Sequence, residues 1–188
     1  MTNIKKNQVV AIVVTYHPDL DLLSAQLTRL VSQVSDIVLV DNGSSCDLGA
    51  WKNNLEYSTV SVIPLGDNRG IATAHNKGIE WARKQGADYV LLMDQDSLPA
   101  PNMVEKLIAA IKDKPLAAAA GPRYLDERQN NPPPFIRIRG LSLERCACST
   151  AEAIVAVDYL ISSGCLIPMA VLNKVGVMRD DFLLIMLI

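Results

Sequence analysis

The chain has 188 residues, a length that typically corresponds to one compact domain. Hydrophobic residues make up 49% of it and charged residues 20%, so it can bury a core, and intrinsic disorder is excluded as its main state. Its 18 Lys and Arg against 20 Asp and Glu give a net charge of −2, which argues against a dedicated nucleic-acid-binding protein.

The apolar runs near the two ends, residues 9–14 and 182–188, are far shorter than the roughly 20 residues of a membrane-spanning helix. The first run also lacks the small-residue cleavage site of a signal peptide. We therefore expect a cytoplasmic protein, with any membrane association peripheral and at the inner face. An apolar C-terminal tail must be buried or paired, so we also expect it to be able to mediate self-association.

Short apolar runs rich in β-branched residues predict strands at residues 9–15, 37–41, 59–65 and 89–93. Apolar residues at helical spacing predict helices over residues 20–34 and 71–84. A further helix fits residues 101–112, and residues 116–120 predict a fifth strand. This alternation predicts an α/β fold with a doubly wound, mostly parallel sheet and helices on both faces.

The composition changes after residue 121. Residues 122–145 contain several prolines and an excess of arginine, which predict a loop that is either solvated or able to meet a phosphorylated substrate. Residues 153–161 predict a further strand, and residues 170–175 a short helix. The four cysteines and two histidines lack the spacing of a metal cluster.

Polar side chains follow three of the predicted strands. Ligands bind outside the carboxyl ends of the strands in open α/β sheets, so these tips should meet in one crevice. Two carboxylates separated by one residue can hold a hard divalent cation that also binds substrate phosphates, although Asp-x-Asp also occurs in caps and turns. The three tips are Thr15-Tyr16-His17-Pro18, Asp41-Asn42-Gly43-Ser44-Ser45 and Asp94-Gln95-Asp96-Ser97.

The segment Asn68-Arg69-Gly70 precedes the predicted helix at residues 71–84. Gly70 permits a tight turn, and the amides at the helix start, with Arg69 nearby, favour anionic groups. Asn76 lies too deep in this helix to act as a cap. It is expected either to contact a ligand or to make a packing or helix-to-loop hydrogen bond.

Taken in order, the motifs TYHPD, VLVDNGSS, NRGIATAHNKGI, VLLMDQDS and SSGCLIP resemble the nucleotide-binding half of inverting GT-A glycosyltransferases of the family-two type. More narrowly, they are similar to bacterial rhamnosyltransferases. The resemblance runs from residue 9 to about residue 182. It implies one GT-A domain over residues 1–188, with a nucleotide-binding half at about 8–121 and a partial acceptor-side region at about 122–188.

The resemblance also implies roles for individual residues. Thr15 and Tyr16 would contact the base, and Asp41 the base or ribose. Asn68, Gly70 and Asn76 would line the nucleotide pocket. Asp94 would face the ribose and, with Asp96, hold the Mg or Mn ion that bridges the diphosphate. Ser163 and Gly164 would lie beside the donor sugar and the acceptor.

As a reaction, the resemblance implies metal-dependent transfer of a sugar with inversion. We expect the donor to be dTDP-rhamnose and the acceptor to be a polysaccharide or lipid-linked glycan, as in O-antigen biosynthesis. In relatives, the segment that matches residues 175–182 is followed by an acidic motif that contains the general base. In this chain, six apolar residues follow that segment instead. We therefore expect truncation or a shifted frame, a missing general base, and weak or absent transfer; Asp180 and Asp181 align only with the preceding acidic pair.

Three alternatives remain at this stage. A haloacid-dehalogenase-type phosphatase also uses Asp-x-Asp, but normally on its first strand. A dinucleotide-dependent oxidoreductase is disfavoured because no Gly-x-Gly-x-x-Gly turn follows the first strand. A non-catalytic nucleotide-binding remnant or partner-binding module stays open, and nucleotide binding without sugar transfer would support it.

Overall fold

The computed structural model describes residues 7–125, 135–139, 142–146 and 154–181. A five-stranded sheet lies at the centre, in the order β3-β2-β1-β4-β7; its first four members are parallel, and β7 is antiparallel to β4. In chain order the elements are β1 (Val9–Thr15), α1 (Leu20–Leu30), β2 (Asp36–Asp41), α2 (Leu48–Asn53), β3 (Val60–Pro64), α3 (Ile71–Lys84), β4 (Tyr89–Asp94), α4 (Met103–Asp113), β5 (Phe135–Arg139), β6 (Ser142–Cys146), β7 (Cys165–Pro168) and α5 (Met169–Val175).

The sheet is covered by helices on both faces, as the sequence predicts. Successive residues of a strand point to opposite faces, and β1 is buried along its whole length. Val9, Ala11 and Val13 pack with apolar residues of α1, α2 and α4. Val10 and Ile12 pack on the other face with residues of α3 and α5. The continuous apolar runs in the sequence reflect this two-sided burial.

Helix α3 packs closely on the sheet at Gly78. A Cβ added to Gly78 would lie 2.3 Å from Cγ2 of Ile12, well inside a normal carbon contact. The lack of a side chain at Gly78 therefore allows the helix to approach β1.

The helices follow their predicted positions, with small shifts at the ends. Helix α3 covers the predicted residues 71–84, whereas α1 ends at Leu30, earlier than the predicted residue 34. Helix α4 begins at Met103 because Asn102 adopts a left-handed conformation (φ 59°) that asparagine tolerates. None of the helices described is long and apolar enough to cross a membrane.

The prediction of a fifth strand at residues 116–120 is wrong. Only Ala120 forms an isolated antiparallel bridge, to Leu166, and Leu116 is fully exposed. A run of alanines offers little side-chain area for packing on a sheet. The edge position beside β4 is taken instead by β7, a strand that the sequence pattern does not predict.

Two predictions in the second half of the chain are also wrong. Residues 122–145, expected to be loop, contribute β5 and most of β6, which form an antiparallel hairpin. Alternation of apolar and polar residues in the sequence Phe-Ile-Arg-Ile-Arg produces this strand despite the flanking prolines. Within residues 153–161, those from 154 onward are described and have no regular strand. They instead accept hydrogen bonds from the hairpin, at the carbonyl of Ala156 and the carboxylate of Asp158.

Candidate functional site

The ends of three parallel strands bring the candidate residues to one edge of the sheet. Strand β1 lies between β2 and β4, so that Thr15 pairs with Asp41 on one side and Val14 pairs with Asp94 on the other. The polar tips of β1, β2 and β4 are thus direct neighbours at the carboxyl end of the sheet. This is the position at which an open α/β sheet binds its ligands.

The carboxylate of Asp41 is buried (7% exposed) and held in a fixed orientation. Its Oδ1 accepts hydrogen bonds from the backbone N–H of Ser44 (3.1 Å), from the Ser44 hydroxyl (2.5 Å) and from the Thr15 hydroxyl (3.5 Å). The N–H of His17 in turn donates to the Ser44 hydroxyl (2.9 Å). Within the described residues all these bonds reach Oδ1, which leaves Oδ2 to accept from a ligand group.

The loop after β2 is joined to the start of α3 through two asparagines. Asn42 donates from Nδ2 to Oδ1 of Asn68 (2.9 Å) and accepts at Oδ1 from the N–H of Arg69 (2.9 Å). Gly43 has a φ of 94°, and a Cβ there would lie 2.7 Å from the carbonyl carbon of Asp67. This close approach makes glycine necessary and holds the two loops together.

Gly70 begins α3 with a φ of 81°, and its N–H donates to Asn68 Oδ1 (3.0 Å). No side chain caps the helix, so the N–H groups of its first turn remain available. Residues of this first turn line a cleft of about 210 Å³ together with Arg69, Arg179 and Asp180. The positive end of the helix favours an anionic group in the cleft, whereas Arg69 and Arg179 are ion-paired with Asp67 and Asp181.

Asp94 and Asp96 occupy a tight turn at the end of β4, where the N–H of Ser97 donates to the carbonyl of Asp94 (3.3 Å). Burial raises the pKa of Asp94, a hydrogen bond from the Ser162 hydroxyl to Oδ1 (3.2 Å) opposes that rise, and the negative charge of Asp96 adds to it. Asp96 is exposed, and neither carboxylate has an ion pair among the residues described.

This donor set fits a divalent cation. The described residues contain no group of three His, Cys, Asp or Glu that could hold a metal ion by themselves. Mg²⁺ or Mn²⁺ commonly takes one or two carboxylates and completes its coordination with substrate phosphate and water. Two uncompensated carboxylates at an open strand end therefore suit a cation that is shared with a diphosphate.

Ser163 and Gly164 stand next to Asp94, as the sequence order suggests. The hydroxyl of Ser163 accepts from the N–H of Asp94 (3.2 Å), and the N–H of Gly164 donates to the carbonyl of Leu92 (2.8 Å). Gly164 has a φ of 81°, and a Cβ there would lie 2.6 Å from Cγ of Pro122. The turn before β7 is therefore fixed against the end of β4.

Asn76 makes the helix-to-loop hydrogen bonds that the sequence analysis left as one of its alternatives. Its Nδ2 donates to the carbonyl of Met178 (2.8 Å), and its Oδ1 accepts from the N–H of Met178 (2.9 Å). The side chain therefore ties α3 to the segment after α5. A role for Asn76 in lining the nucleotide pocket stays a prediction, as do the other nucleotide, metal and acceptor roles.

Sequence reasoning missed two glutamines that hold the site together. Gln95 accepts at Oε1 from the N–H of Tyr16 (2.7 Å) and donates from Nε2 to its carbonyl (3.2 Å), which joins the tips of β4 and β1. Gln26 on α1 donates to the carbonyls of Asp94 and Ser97. Its sequence signal was present, because Gln26 is a polar residue within the apolar stripe of α1.

Two expectations concern the end of the chain. Asp180 lies within 3.5 Å of Asn76, and Asp181 forms an ion pair with Arg179, so neither shows a feature that marks it as a general base. The apolar tail at residues 182–188, and with it the expectations of truncation and self-association, lies outside the described residues.

The fold and the site define the class of protein. The parallel α/β sheet with an antiparallel edge strand, and with aspartates at the tips of β2 and β4, agrees with the fold that the sequence motifs predict. The chain belongs to glycosyl transferase family 2, whose model matches residues 10–157. The family resemblance inferred from the sequence motifs is therefore confirmed.

The chain is similar to dTDP-rhamnosyl transferase RfbF of Shigella flexneri, at 32% identity over 93% of this chain and 58% of that protein. It is also similar to an N-acetylglucosaminyl-diphospho-decaprenol L-rhamnosyltransferase of Mycobacterium tuberculosis, at 30% identity over 63% of this chain and 41% of that protein. The chain thus spans about half the length of these curated relatives.

Solved structures share the fold at low sequence identity. GalNAc-T7 with UDP, GalNAc and Mn²⁺ superposes with a TM-score of 0.69 at 13% identity, over 95% of this chain and 38% of that chain. Staphylococcus aureus TarS 1–349 in complex with UDP-GlcNAc superposes with a TM-score of 0.62 at 16% identity, over 89% of this chain and 47% of that chain. These similarities establish the GT-A fold.

Proposed function

We propose that the protein transfers a sugar from a nucleotide-diphosphate donor, with dTDP-rhamnose as that donor, to a polysaccharide or lipid-linked glycan. The observation that carries this proposal is the register of the sheet, which sets Thr15, Asp41 and Asp94 side by side at one edge. Membership of glycosyl transferase family 2 supports the reaction class. Two relatives named as rhamnosyltransferases support the choice of sugar.

The nucleoside would lie across the tips of β1 and β2. Asp41 Oδ2, with Oδ1 already engaged by Ser44, offers a charged acceptor to a base N–H or a ribose hydroxyl. Tyr16 is half-buried, with its backbone held by Gln95, and in this proposal its ring would contact the base. In this proposal residues 8–121 supply the nucleotide-binding half, and the described residues beyond 121 belong to the acceptor side.

Asp94 and Asp96 would hold a Mg or Mn ion. The ion would offset the negative charge that develops on the departing diphosphate. The chain itself holds Asp94, through Ser162 at Oδ1 and Ser163 at its N–H. The uncapped start of α3 offers further N–H donors to an anionic group.

Transfer with inversion requires the acceptor hydroxyl to attack the anomeric carbon from the side opposite the diphosphate, while a base removes its proton. Among the described residues we assign no such base. Donor binding and sugar transfer are therefore two separate properties of this chain. Residues are assigned for donor binding, and transfer is tested directly.

We also propose that the protein works at the cytoplasmic face of a membrane. On the β5–β6 hairpin, Ile138 and Leu143 are paired across the strands and are 52% and 69% exposed. Exposed Arg145 shares this face, whereas Arg137 and Arg139 lie on the other face, where Arg139 is ion-paired with Glu144. Exposed aliphatic side chains beside arginines are suited to the interface of an anionic bilayer.

Co-sedimentation with vesicles tests the membrane proposal. Wild type should bind phosphatidylglycerol-containing vesicles more strongly than pure phosphatidylcholine vesicles, and high salt should weaken this binding. Changing Ile138 and Leu143 together to Ser should reduce it, whereas Leu116→Ser, a matched change at a fully exposed site, should leave it unchanged. Equal binding by the hairpin variant and wild type would contradict the assignment of this surface.

A transfer assay tests the reaction. The purified chain would be incubated with radiolabelled dTDP-rhamnose, MnCl₂ and a lipid-linked glycan, and the lipid fraction would be counted. The proposal predicts weak labelling of that fraction, dependent on Mn²⁺ and lost in Asp96→Asn. Donor binding without transfer to any acceptor would favour the non-catalytic alternative, and absence of both would contradict the proposed function.

A further inference from the structure

The turn that contains Asp94 and Asp96 is hydrogen-bonded to a buried side chain from a different element. Gln26 lies on α1 with no exposed surface, 68 residues before Asp94 in the chain. Its Nε2 donates to the carbonyl oxygen of Asp94 at 2.6 Å and to the carbonyl oxygen of Ser97 at 2.6 Å. One amide group therefore binds both ends of the turn, at Asp94 and at Ser97, and this turn contains the two candidate metal ligands.

The second polar atom of Gln26 makes this arrangement unusual. Oε1 is buried and has no hydrogen-bond partner among the described residues. A buried acceptor without a partner destabilises a fold. Gln26 also occupies the apolar stripe of α1, beside Leu23, Leu27 and Leu30, where an apolar residue would pack without that cost. The contacts that distinguish glutamine from such a residue here are the two hydrogen bonds to the turn.

We infer that Gln26 is a positioning residue, which fixes the relative placement of the Asp94 and Asp96 carboxylates for a divalent cation. This inference rests on the proposed function, since it concerns the same candidate metal site. Gln26 does not reach the cation itself, because its amide acts on the backbone of the turn. Groups that orient metal ligands in this way typically change metal affinity by about 10- to 100-fold when removed.

The chain offers a matched control in the turn that follows the same helix. Gln33 follows α1, and its Nε2 likewise donates to two carbonyls, those of Arg29 (3.0 Å) and Ala100 (3.1 Å). It therefore ties α1 to the chain beyond the turn, at a point away from both carboxylates. Replacing either glutamine by methionine preserves side-chain length and removes the amide donors.

The test measures Mn²⁺ affinity by the electron paramagnetic resonance signal of free Mn²⁺, with saturating dTDP present. Gln26→Met should weaken Mn²⁺ binding about tenfold or more, while Gln33→Met should not change it. In EDTA, dTDP binding should be equal in wild type and Gln26→Met. The melting temperature of Gln26→Met should stay within about 5 °C of that of wild type.

Each other result overturns the inference in a recognisable way. If wild type binds Mn²⁺ with dTDP and Gln26→Met binds it equally well, the positioning role is wrong and the proposed function stands. If wild type binds no Mn²⁺, both fail. Gln26→Leu serves as a second variant. If neither variant unfolds cooperatively, Gln26 supports the whole fold, and the specific role is likewise overturned.

Discussion

His75 makes the stability of the fold depend on pH in a defined direction. The side chain is 4% exposed, and its Nε2 has no hydrogen-bond partner within the described part of the chain. Burial lowers the pKa of His75 from 6.5 to about 4. Below pH 6.5 this imidazole therefore becomes protonated in the unfolded chain. In the folded chain it stays neutral until the pH approaches 4.

The size of the effect follows from the two pKa values. Above pH 6.5 the imidazole is neutral in both states and has no effect on the pH dependence of stability. As the pH falls, this residue lowers the free energy of unfolding by about 2 kcal/mol at pH 5, and by about 3 kcal/mol well below pH 4. At pH 5 this corresponds to a melting temperature lower by about 4–8 °C for a chain of this size.

Urea denaturation of wild type and His75→Leu at pH 8 and pH 5 measures this contribution. Other titrating groups act equally in both proteins, so the loss of stability between the two pH values should be about 2 kcal/mol smaller in the variant. His17→Asn is the control, because His17 is exposed and has a φ of 47° that asparagine accepts. Equal losses in wild type and His75→Leu would refute the reasoning.

Three further changes test the packing and the site. Gly78→Ala should destabilise the fold by about 1–3 kcal/mol in urea denaturation, because the added methyl group meets Ile12; a loss below about 0.5 kcal/mol would contradict this packing. Burial raises the pKa of Cys165 to about 11, so Cys165→Ser should leave the number of rapidly reacting thiols at pH 8 unchanged, and a loss of one would refute it. Asp41→Asn should weaken dTDP binding about tenfold in calorimetry through loss of a charged acceptor, and an unchanged affinity would count against the assigned nucleoside position.

The first half of the fold could be predicted from the sequence because β1, β2 and β4 are buried on both faces. Such strands appear as continuous β-branched runs, and β1 to β4 were found at nearly their final positions. The edge strand β7 was missed because four residues following a glycine turn give little pattern. The hairpin was missed because prolines and arginines dominate its composition, although its residues alternate.

The site could be predicted to the extent that it lies at strand ends. Asp41 and Asp94 follow buried strands, so topology alone brings them together. The contacts of Gln95 and Gln26 depend on where another element's backbone passes, and no local pattern encodes that position. Gln26 nevertheless carried one signal, a polar residue at an apolar position of α1.

In the proposed function, the carboxylates at the end of β4 bind a nucleoside diphosphate through a divalent cation. Thermal shift with dTDP, in MnCl₂ and in EDTA, tests it on wild type, Asp96→Asn and the exposed helix-end control Asp113→Asn. At a dTDP concentration 100 times its Kd, wild type and Asp113→Asn should gain about 2.7 kcal/mol, or about 5–10 °C, in Mn²⁺. Asp96→Asn should lose most of this Mn²⁺-dependent gain. An equal gain in Asp96→Asn, or no gain in wild type, would contradict the account.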